Sequence, residues 1–282
     1  MTQFPQDRTV LVTGSGGRLG RLLRRAAARD GTDGLHVIFQ SGRPGADLSW
    51  APGDPESALP ASGTIVALWG CTAGSPAELA ANETLVAQSR AVARACGARR
   101  LLHLSSAGVY GPGRAMTERT DPRPASDYAR SKMAMERAVA RLPADDGLVH
   151  CCLRLANVVG ADSLGPALLS AGPVVLDRFE DGRGPLRSYA APGDLLAVLC
   201  GLARLAPGRL PAVVNVASPV PTSMAALARA AGRNITWRHA PGTAVQEVTL
   251  DTGLLASLLP DAEFRTTAEQ QIADWKSLET QP

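Results

Sequence analysis

Lysine is nearly missing from this 282-residue chain: only Lys132 and Lys276 occur, and arginine supplies the remaining fixed positive charge. Aromatic residues are also few, at 4% of positions, and three of them are tyrosines (Tyr110, Tyr128 and Tyr189). Long hydrophobic runs are lacking. "LLAVLCGLARL" (195–205) is broken by arginine and falls below the ~20 residues that span a bilayer, so no membrane partner is expected. The start, "MTQFPQDRTVLV", runs into a strand without a charged-then-apolar leader, and no secretion signal is expected. The five cysteines form no C-x-x-C pair and no histidine spacing suited to zinc, which argues against a metal site. Their odd number points to reduced thiols and a cytoplasmic protein. Cys151 and Cys152, adjacent on an expected strand, point to opposite faces as packing residues. The net charge of +3 is mild, and the densest arginine group (Arg18, Arg21, Arg24, Arg25 and Arg29) falls on one expected helix. That pattern is a solvated helix face rather than a nucleic-acid stripe.

Against this scarcity, "YARSK" (128–132) places a tyrosine four positions before a lysine. With so few of either residue, the pair arises by accident in roughly 2% of shuffled chains, so it is more than background. A separation of four on a helix puts both side chains on one face, one turn apart. Around it, short apolar runs alternate with helical stretches: strands at 9–13, 35–39, 64–70, 100–106 and 148–159, and helices at about 18–29, 77–97 and 127–142. Nearly all-apolar strands separated by helices predict a parallel sheet covered on both faces: an α/β, Rossmann-type doubly wound fold, whose ligands bind beyond the carboxyl ends of the strands. After about residue 155, Pro and Gly become frequent, as in "EDGRGPLRSYAAPGD" (180–194), and strands such as 212–218 become isolated. The expected organisation is a dinucleotide-binding domain over 1–155, rejoined by about 190–218, and a smaller interleaved C-terminal substrate lobe from 156–189 and 219–282.

The first strand leads into "TGSGGRLG", a T-G-x-x-G-x-x-G turn with Gly14, Gly17 and Gly20 ahead of a helix that opens at Arg18 and Leu19. Such glycines let backbone approach a pyrophosphate, and the helix N-terminus offers unpaired N–H groups. NAD binders usually carry Asp or Glu about 20 residues on, to hold the ribose 2′-hydroxyl. Here that place is Gln40, followed by Ser41 and Arg43, which can bind a 2′-phosphate with Arg18. NADP is therefore favoured over NAD. Asp47, beside Leu48, can accept from the adenine amino group.

Taken together, these stretches resemble the extended short-chain dehydrogenase/reductases, in particular the NAD(P)-dependent epimerase/dehydratase group, over about residues 8 to 230. The likeness rests on "TGSGGRLG", "LSSAGVYG" (104–111), "PASDYARSK" (124–132), "LRLANVVG" (153–160), "LRSYAAPGDLL" (186–196) and "NVASPVPTSMAALA" (215–228), in the family's order. It implies that Tyr128 transfers a proton, Lys132 binds the nicotinamide ribose and Ser106 holds the reacting oxygen. Leu68 and Trp69, after the third long strand, would line the cofactor. Asn157 and Arg187 match residues that contact the substrate in sugar-nucleotide members. A phenol near pKa 10 is a poor base at neutral pH, and a neighbouring ammonium favours the phenolate, which supports the Tyr128–Lys132 pairing on physical grounds.

The chain also departs from the family. Ala67 stands where many members have histidine, and Trp69 and Gly70 where they have alanines. The tryptophan either narrows the nicotinamide pocket or fills the core. Ala107 and Gly108 follow Ser106 without the Asp–Glu pair of the sugar 4,6-dehydratases, and only Asp194 of a family acidic pair remains, as a helix cap. The expected activity is hydride transfer between a nicotinamide and a substrate carbon in an NAD(P)-dependent oxidoreductase or epimerase, on a small-molecule substrate that can be a sugar nucleotide. The alternatives are an NADPH-dependent carbonyl reductase of a small non-sugar substrate, or a non-catalytic NADP-sensing binding protein. Ala129, Met133, Ala134 and Ala138 can pair the 129–140 helix with a second copy in a homodimer, or can pack the core.

Overall fold

The computed structural model describes residues 5–43, 45–143 and 147–279; Met1–Phe4, part of the stretch read for a leader, lie outside the described residues. Seven parallel strands form the central sheet: β1 (Thr9–Thr13), β2 (His36–Ser41), β3 (Leu48–Ser49), β4 (Thr64–Ala67), β5 (Arg100–Ser106), β6 (Val149–Leu155) and β7 (Val213–Val216). Their order is β7-β6-β5-β4-β1-β2-β3, the Rossmann-type doubly wound arrangement. The order reverses between β1 and β4, where a crevice opens beyond the carboxyl ends of the strands.

Every residue of β1 is buried, because helices cover both faces. Val10 and Val12 enter a core with Leu22 and Leu23 of α1 (Arg18–Asp30), whereas Leu11 faces the other way into a core with Val92 and Ala93 of α2 (Pro76–Ala95). The two cysteines on β6 split likewise: Cys151 joins the first core, and Cys152 packs with Val86 and Met135 under α2 and α3 (Asp127–Ala140). α2 starts in a complete capping box, with Ser75 and Glu78 each accepting from the other's backbone N–H. Two further helices, α4 (Pro192–Arg204) and α5 (Ala268–Glu279), pack on the α1 side. Among the described residues, no helix is long and apolar enough to cross a membrane, and no group of three or more His, Cys, Asp or Glu could hold a metal ion.

Outside the central sheet, the strands Thr222–Ser223, Leu186–Arg187, Glu247–Leu250 and Gly113–Met116 form a second, four-stranded sheet in that order. The last of these strands comes from the first half of the chain, so both halves build this sheet. A parallel ribbon pairs Val174–Arg178 with Ile235–His239. Two expected strands end early. The 64–70 run stops at Ala67, and the 148–159 run breaks at Ala156 before a separate strand Asn157–Val158 pairs with Tyr189–Ala190. In both places the chain leaves the sheet at its carboxyl edge, where the crevice lies.

Asp194 does not cap its helix. The N-cap of α4 is Ala191, and Pro192 opens the helix without an N–H to satisfy. The buried Asp194 carboxylate instead accepts from the backbone N of Arg265 at 2.8 Å. Beside it, Asp274 of α5 bonds Arg29 of α1 (2.6 Å), Arg265 (3.1 Å) and the backbone N of Gly193 (3.0 Å). This cluster fastens α5 to α1 and α4. Removing the carboxylate in Asp274→Ala leaves the Gly193 N–H unpaired and takes one of two carboxylates from Arg29 and Arg265, which keep Asp30 and Asp194, and should cost about 1–3 kcal/mol in urea unfolding. Lys276→Ala, which loses an exposed bond to the carbonyl of Ala231, should change stability by no more than about 0.5 kcal/mol.

Candidate active site

β1 ends in a turn shaped by two glycines. Gly14 takes φ +73°, and a Cβ there would lie 2.5 Å from the backbone of Trp69. A Cβ on Gly20 would lie 2.3 Å from the carbonyl of Ser15, so glycine lets α1 start tight against the turn. α1 opens at Gly17 without a side-chain cap, and no heavy atom lies within 4 Å of where a Gly17 Cβ would stand. Uncapped N–H groups facing open space at the switch point fit the pyrophosphate of a dinucleotide. Arg18 is half-exposed at this opening, and Leu19 packs into the α1 core.

Gln40, at the place of the acidic residue of NAD binders, is buried and fully engaged. Its side-chain oxygen accepts from Gly14 N (2.9 Å), its amide nitrogen donates to the carbonyl of Trp50, and its own carbonyl accepts from Ser15 N (2.9 Å) and Ser15 Oγ (2.8 Å). One amide thereby joins the glycine turn, β2 and the segment after β3. Ser41 Oγ accepts from Arg43 N at 3.0 Å and lies 2.6 Å from the Cβ position of Gly16; the Arg43 Cδ is 3.8 Å from that position. Ser41 and the exposed Arg43 thus stand over the turn. Asp47 is exposed and accepts from Phe39 N at 2.9 Å, closing the β2–β3 connection, and Leu48 packs on the α2 side of the sheet.

Leu68 N donates to the carbonyl of Thr13 at 3.1 Å, which holds the post-β4 loop against the glycine turn. Trp69 follows, but its indole N–H donates to Ser89 Oγ of α2 at 2.7 Å. The ring therefore packs beneath α2, while the Trp69 backbone and Cβ lie against the turn. Asn82, buried in the middle of α2, holds the same loop: its oxygen accepts from Cys71 N (2.9 Å), and its amide donates to the carbonyl of Cys71 (2.9 Å) and to Ser131 Oγ of α3 (3.0 Å). Asn82 is not among the residues expected at this site. The available signal was an amide on the apolar stripe of a helix, a position that needs partners.

Ser106, Tyr128 and Lys132 converge where β5 meets α3. Ser126 Oγ caps α3 by accepting from Ala129 N at 3.2 Å, which starts the helix just ahead of Tyr128. Ser106 is the last residue of β5, and its Oγ accepts from Gly108 N at 3.0 Å. Burial pushes the Tyr128 phenol up from its ordinary value, and a side-chain hydrogen bond with Ser106 acts in the opposite direction. One turn along, Lys132 is 5% exposed; its Nζ donates to the carbonyl of Leu104 at 2.8 Å and lies 6.0 Å from the Tyr128 ring centroid. The remaining helix residues named for pairing face mostly inward: Ala129 and Met133 are buried, and Ala134 and Ala138 are half-buried.

The two expected substrate residues are already engaged. Asn157 donates to Asp162 Oδ2 at 3.2 Å, and the buried Tyr189 hydroxyl donates to the same oxygen at 3.0 Å. Arg187 donates to the carbonyls of Leu186 (2.7 Å), Gln246 (2.7 Å) and Val245 (2.6 Å), binding its strand to Glu247–Leu250 of the second sheet.

Burial lowers the Lys132 ammonium from its usual 10.5 to about 8. Between those values the unfolded chain binds more protons than the folded one, so this group's contribution to stability rises from pH ~8 to ~10.5. The unfolding free energy of the unmodified chain minus that of Lys132→Met should therefore climb with pH over this interval. A flat difference would place the ammonium in water.

The model of the NAD dependent epimerase/dehydratase family matches residues 61–189, a stretch that contains Ser106, Tyr128 and Lys132. No curated protein matches the chain. Among solved structures, MoeE5 in complex with UDP-glucuronic acid and NAD is 22% identical, with a TM-score of 0.77 over 96% of this chain and 99% of that one. The NAD-dependent NDP-hexosamine 5,6-dehydratase TunA, involved in tunicamycin biosynthesis, is 20% identical, with a TM-score of 0.74 over 95% and 98%. UDP-glucuronic acid 4-epimerase from Bacillus cereus, in complex with NAD, is 16% identical, with a TM-score of 0.75 over 96% and 96%. At these identities the likeness is one of fold. The stretch 61–189, which carries the convergent Ser, Tyr and Lys, is similar to the NAD dependent epimerase/dehydratase family.

Proposed function

We propose that this chain is an NAD(P)-dependent oxidoreductase or epimerase in which Tyr128 moves the proton on the reacting oxygen of the substrate. The observation that carries this reading is the meeting of Ser106, Tyr128 and Lys132 at the carboxyl edge of the sheet, beside an uncapped α1 N-terminus. The first turn of α1 would hold the pyrophosphate, and Lys132 the nicotinamide ribose. When bound, the nicotinamide supplies or accepts the hydride. Ser106 Oγ orients the substrate oxygen toward the phenol, and the Lys132 ammonium favours the phenolate after proton donation. The buried surroundings strengthen that attraction by keeping water away from both groups. A binding protein that only senses the nucleotide has no need of these three side chains at one point.

For the cofactor, NADP is the form supported by this chain's own residues, although the similar structures named above hold NAD. Gln40 places no carboxylate against a 2′-phosphate, and Ser41 and Arg43 stand over the glycine turn. The substrate reading rests on the fold relatives: MoeE5 is also solved with UDP-glucose, so a sugar nucleotide is the first class to test. One observation favours a second reading, a small neutral carbonyl compound. Arg187 and Asn157 are bonded within the chain, so neither needs a substrate phosphate as a partner.

Turnover assays with UDP-glucose, UDP-glucuronic acid and a panel of neutral ketones and aldehydes, each with both cofactors, separate these readings. On whichever substrate is accepted, Tyr128→Phe should lower turnover by ~10²–10⁴-fold and leave cofactor binding intact. Full activity in that variant would remove Tyr128 from the chemistry.

In direct titrations, NADPH should bind more tightly than NADH. Arg43→Ala should weaken NADPH by roughly ten- to a hundredfold, the loss of one charge-assisted contact of ~1.5–3 kcal/mol, and should leave NADH nearly unchanged. Equal affinities in the unmodified chain would refute the preference for NADP.

A further inference from the structure

An ion pair lies directly behind the catalytic triplet. Glu136 of α3 and Arg154 of β6 meet with Nη2–Oε2 at 2.8 Å and Nε–Oε1 at 3.1 Å, with side chains 5% and 6% exposed. Ser105 Oγ of β5 donates to the same Glu136 oxygen, Oε1. Ser105 and Arg154 are register partners across β5 and β6, so one carboxylate binds two neighbouring strands at once. The rest of the guanidinium is also held. It lies 4.6 Å over the Tyr110 ring, and its Nη1 donates to the carbonyl of Glu118. Tyr110 and Glu118 in turn bond Asn215 of β7.

Stability alone gives little reason for this arrangement. A buried ion pair often contributes no more than apolar residues of equal volume, because desolvation offsets the attraction. Its placement suggests another reason. Glu136 follows Lys132 by four residues and Tyr128 by eight, all on the inner stripe of α3, and Ser105 immediately precedes Ser106. The carboxylate is thus the clasp between the strand that carries one member of the triplet and the helix that carries the other two.

The pair also sets the charge behind the triplet. The titratable groups facing Lys132 are Glu136 and Tyr128 from α3, Cys152 from β6, Cys71 from the loop after β4 and His103 from β5. Those facing Glu136 are Lys132, Cys152 and Arg154, with Tyr110 and Glu118 beyond the guanidinium. Glu136 is the sole carboxylate facing Lys132 among these, and Arg154 cancels its charge. Unbalanced, Glu136 would oppose a phenolate at Tyr128, and an unbalanced Arg154 would favour one.

We propose that Glu136 and Arg154 are a positioning pair for this reaction, fixing α3 against the end of β5 and adding no net charge behind Tyr128. The proposal rests on the reading of Tyr128 as the proton-transferring group. The test is an ultraviolet titration of the Tyr128 phenol, taken as the difference between the purified chain and the same chain carrying Tyr128→Phe, with and without NAD. Subtraction removes Tyr110 and Tyr189. Glu136→Gln keeps the shape and leaves the Arg154 charge unopposed, so the Tyr128 midpoint should fall by about one pH unit. That is the Coulomb effect of a unit charge about 12 Å away, two helical turns, at an effective dielectric of about 20. Adding Arg154→Met to Glu136→Gln removes the unopposed charge and should return the midpoint close to its original value. A Glu136→Gln chain that unfolds at its normal temperature with an unmoved midpoint would overturn the proposal, as would a double variant that moves the midpoint further in the same direction. If the double variant does not fold, the direction of shift in Glu136→Gln decides alone. None of these readings needs turnover, so failure of the pair is distinguishable from failure of Tyr128 as the catalytic group, which the Tyr128→Phe assay reports.

Discussion

A single ammonium held out of water organises the junction of α2, α3 and β5. Lys132 is 5% exposed, and the carbonyl of Leu104 accepts from its ammonium. Above it runs the loop after β4, close enough that a Cβ on Gly70 would lie 3.2 Å from the ammonium nitrogen. That loop is held by Asn82 from α2, which also reaches Ser131 on α3, next to Lys132. The contacts that seat the lysine are therefore those that lock α2, α3 and β5 together. Burial lowers the ammonium toward neutrality, and this leaves it able to respond to a negative charge that develops nearby.

At the other half of the crevice the organising group is an amide. Gln40 satisfies backbone partners on both sides of β2, a role that a carboxylate, which only accepts, could not fill toward the Trp50 carbonyl. Under the proposed cofactor reading, the residue that puts no carboxylate at the ribose is also the one that holds the glycine turn. Cofactor preference and local architecture are therefore coupled at one position. A substitution there would change both.

The second sheet shows how a short lobe is kept rigid. Arg187 ties its strand to the neighbouring segment through the carbonyls of Gln246 and Val245, and Asn157, Asp162 and Tyr189 form a polar set where the chain leaves β6. Burial raises the Asp162 carboxyl above its ordinary range, with the Tyr189 and backbone hydrogen bonds pulling it back. Side chains expected to meet a substrate are thus also bonded within the chain. The same residue types suit both tasks, and the spacing along the chain does not distinguish them.

Much was legible in the residues themselves. Nearly all-apolar strands alternating with helical stretches determined the parallel sheet, T-G-x-x-G-x-x-G determined a turn with an open helix start, and the four-residue step from Tyr128 to Lys132 determined one helix face. These depend on local geometry, which spacing encodes. Trp69 read equally as a pocket wall or as core, and only the position of Ser89 on a helix twenty residues away decided for the core. Asp194 read as a helix cap, but its partner is Arg265, seventy-one residues on. Glu136 and Arg154 stood in plain view, a carboxylate one turn beyond Lys132 and an arginine in an otherwise apolar strand, yet nothing local says that they meet. Polar partners of a buried group are chosen by which elements pack together. That choice is made by the burial of apolar surface over the whole chain, and so it belongs to the tertiary structure.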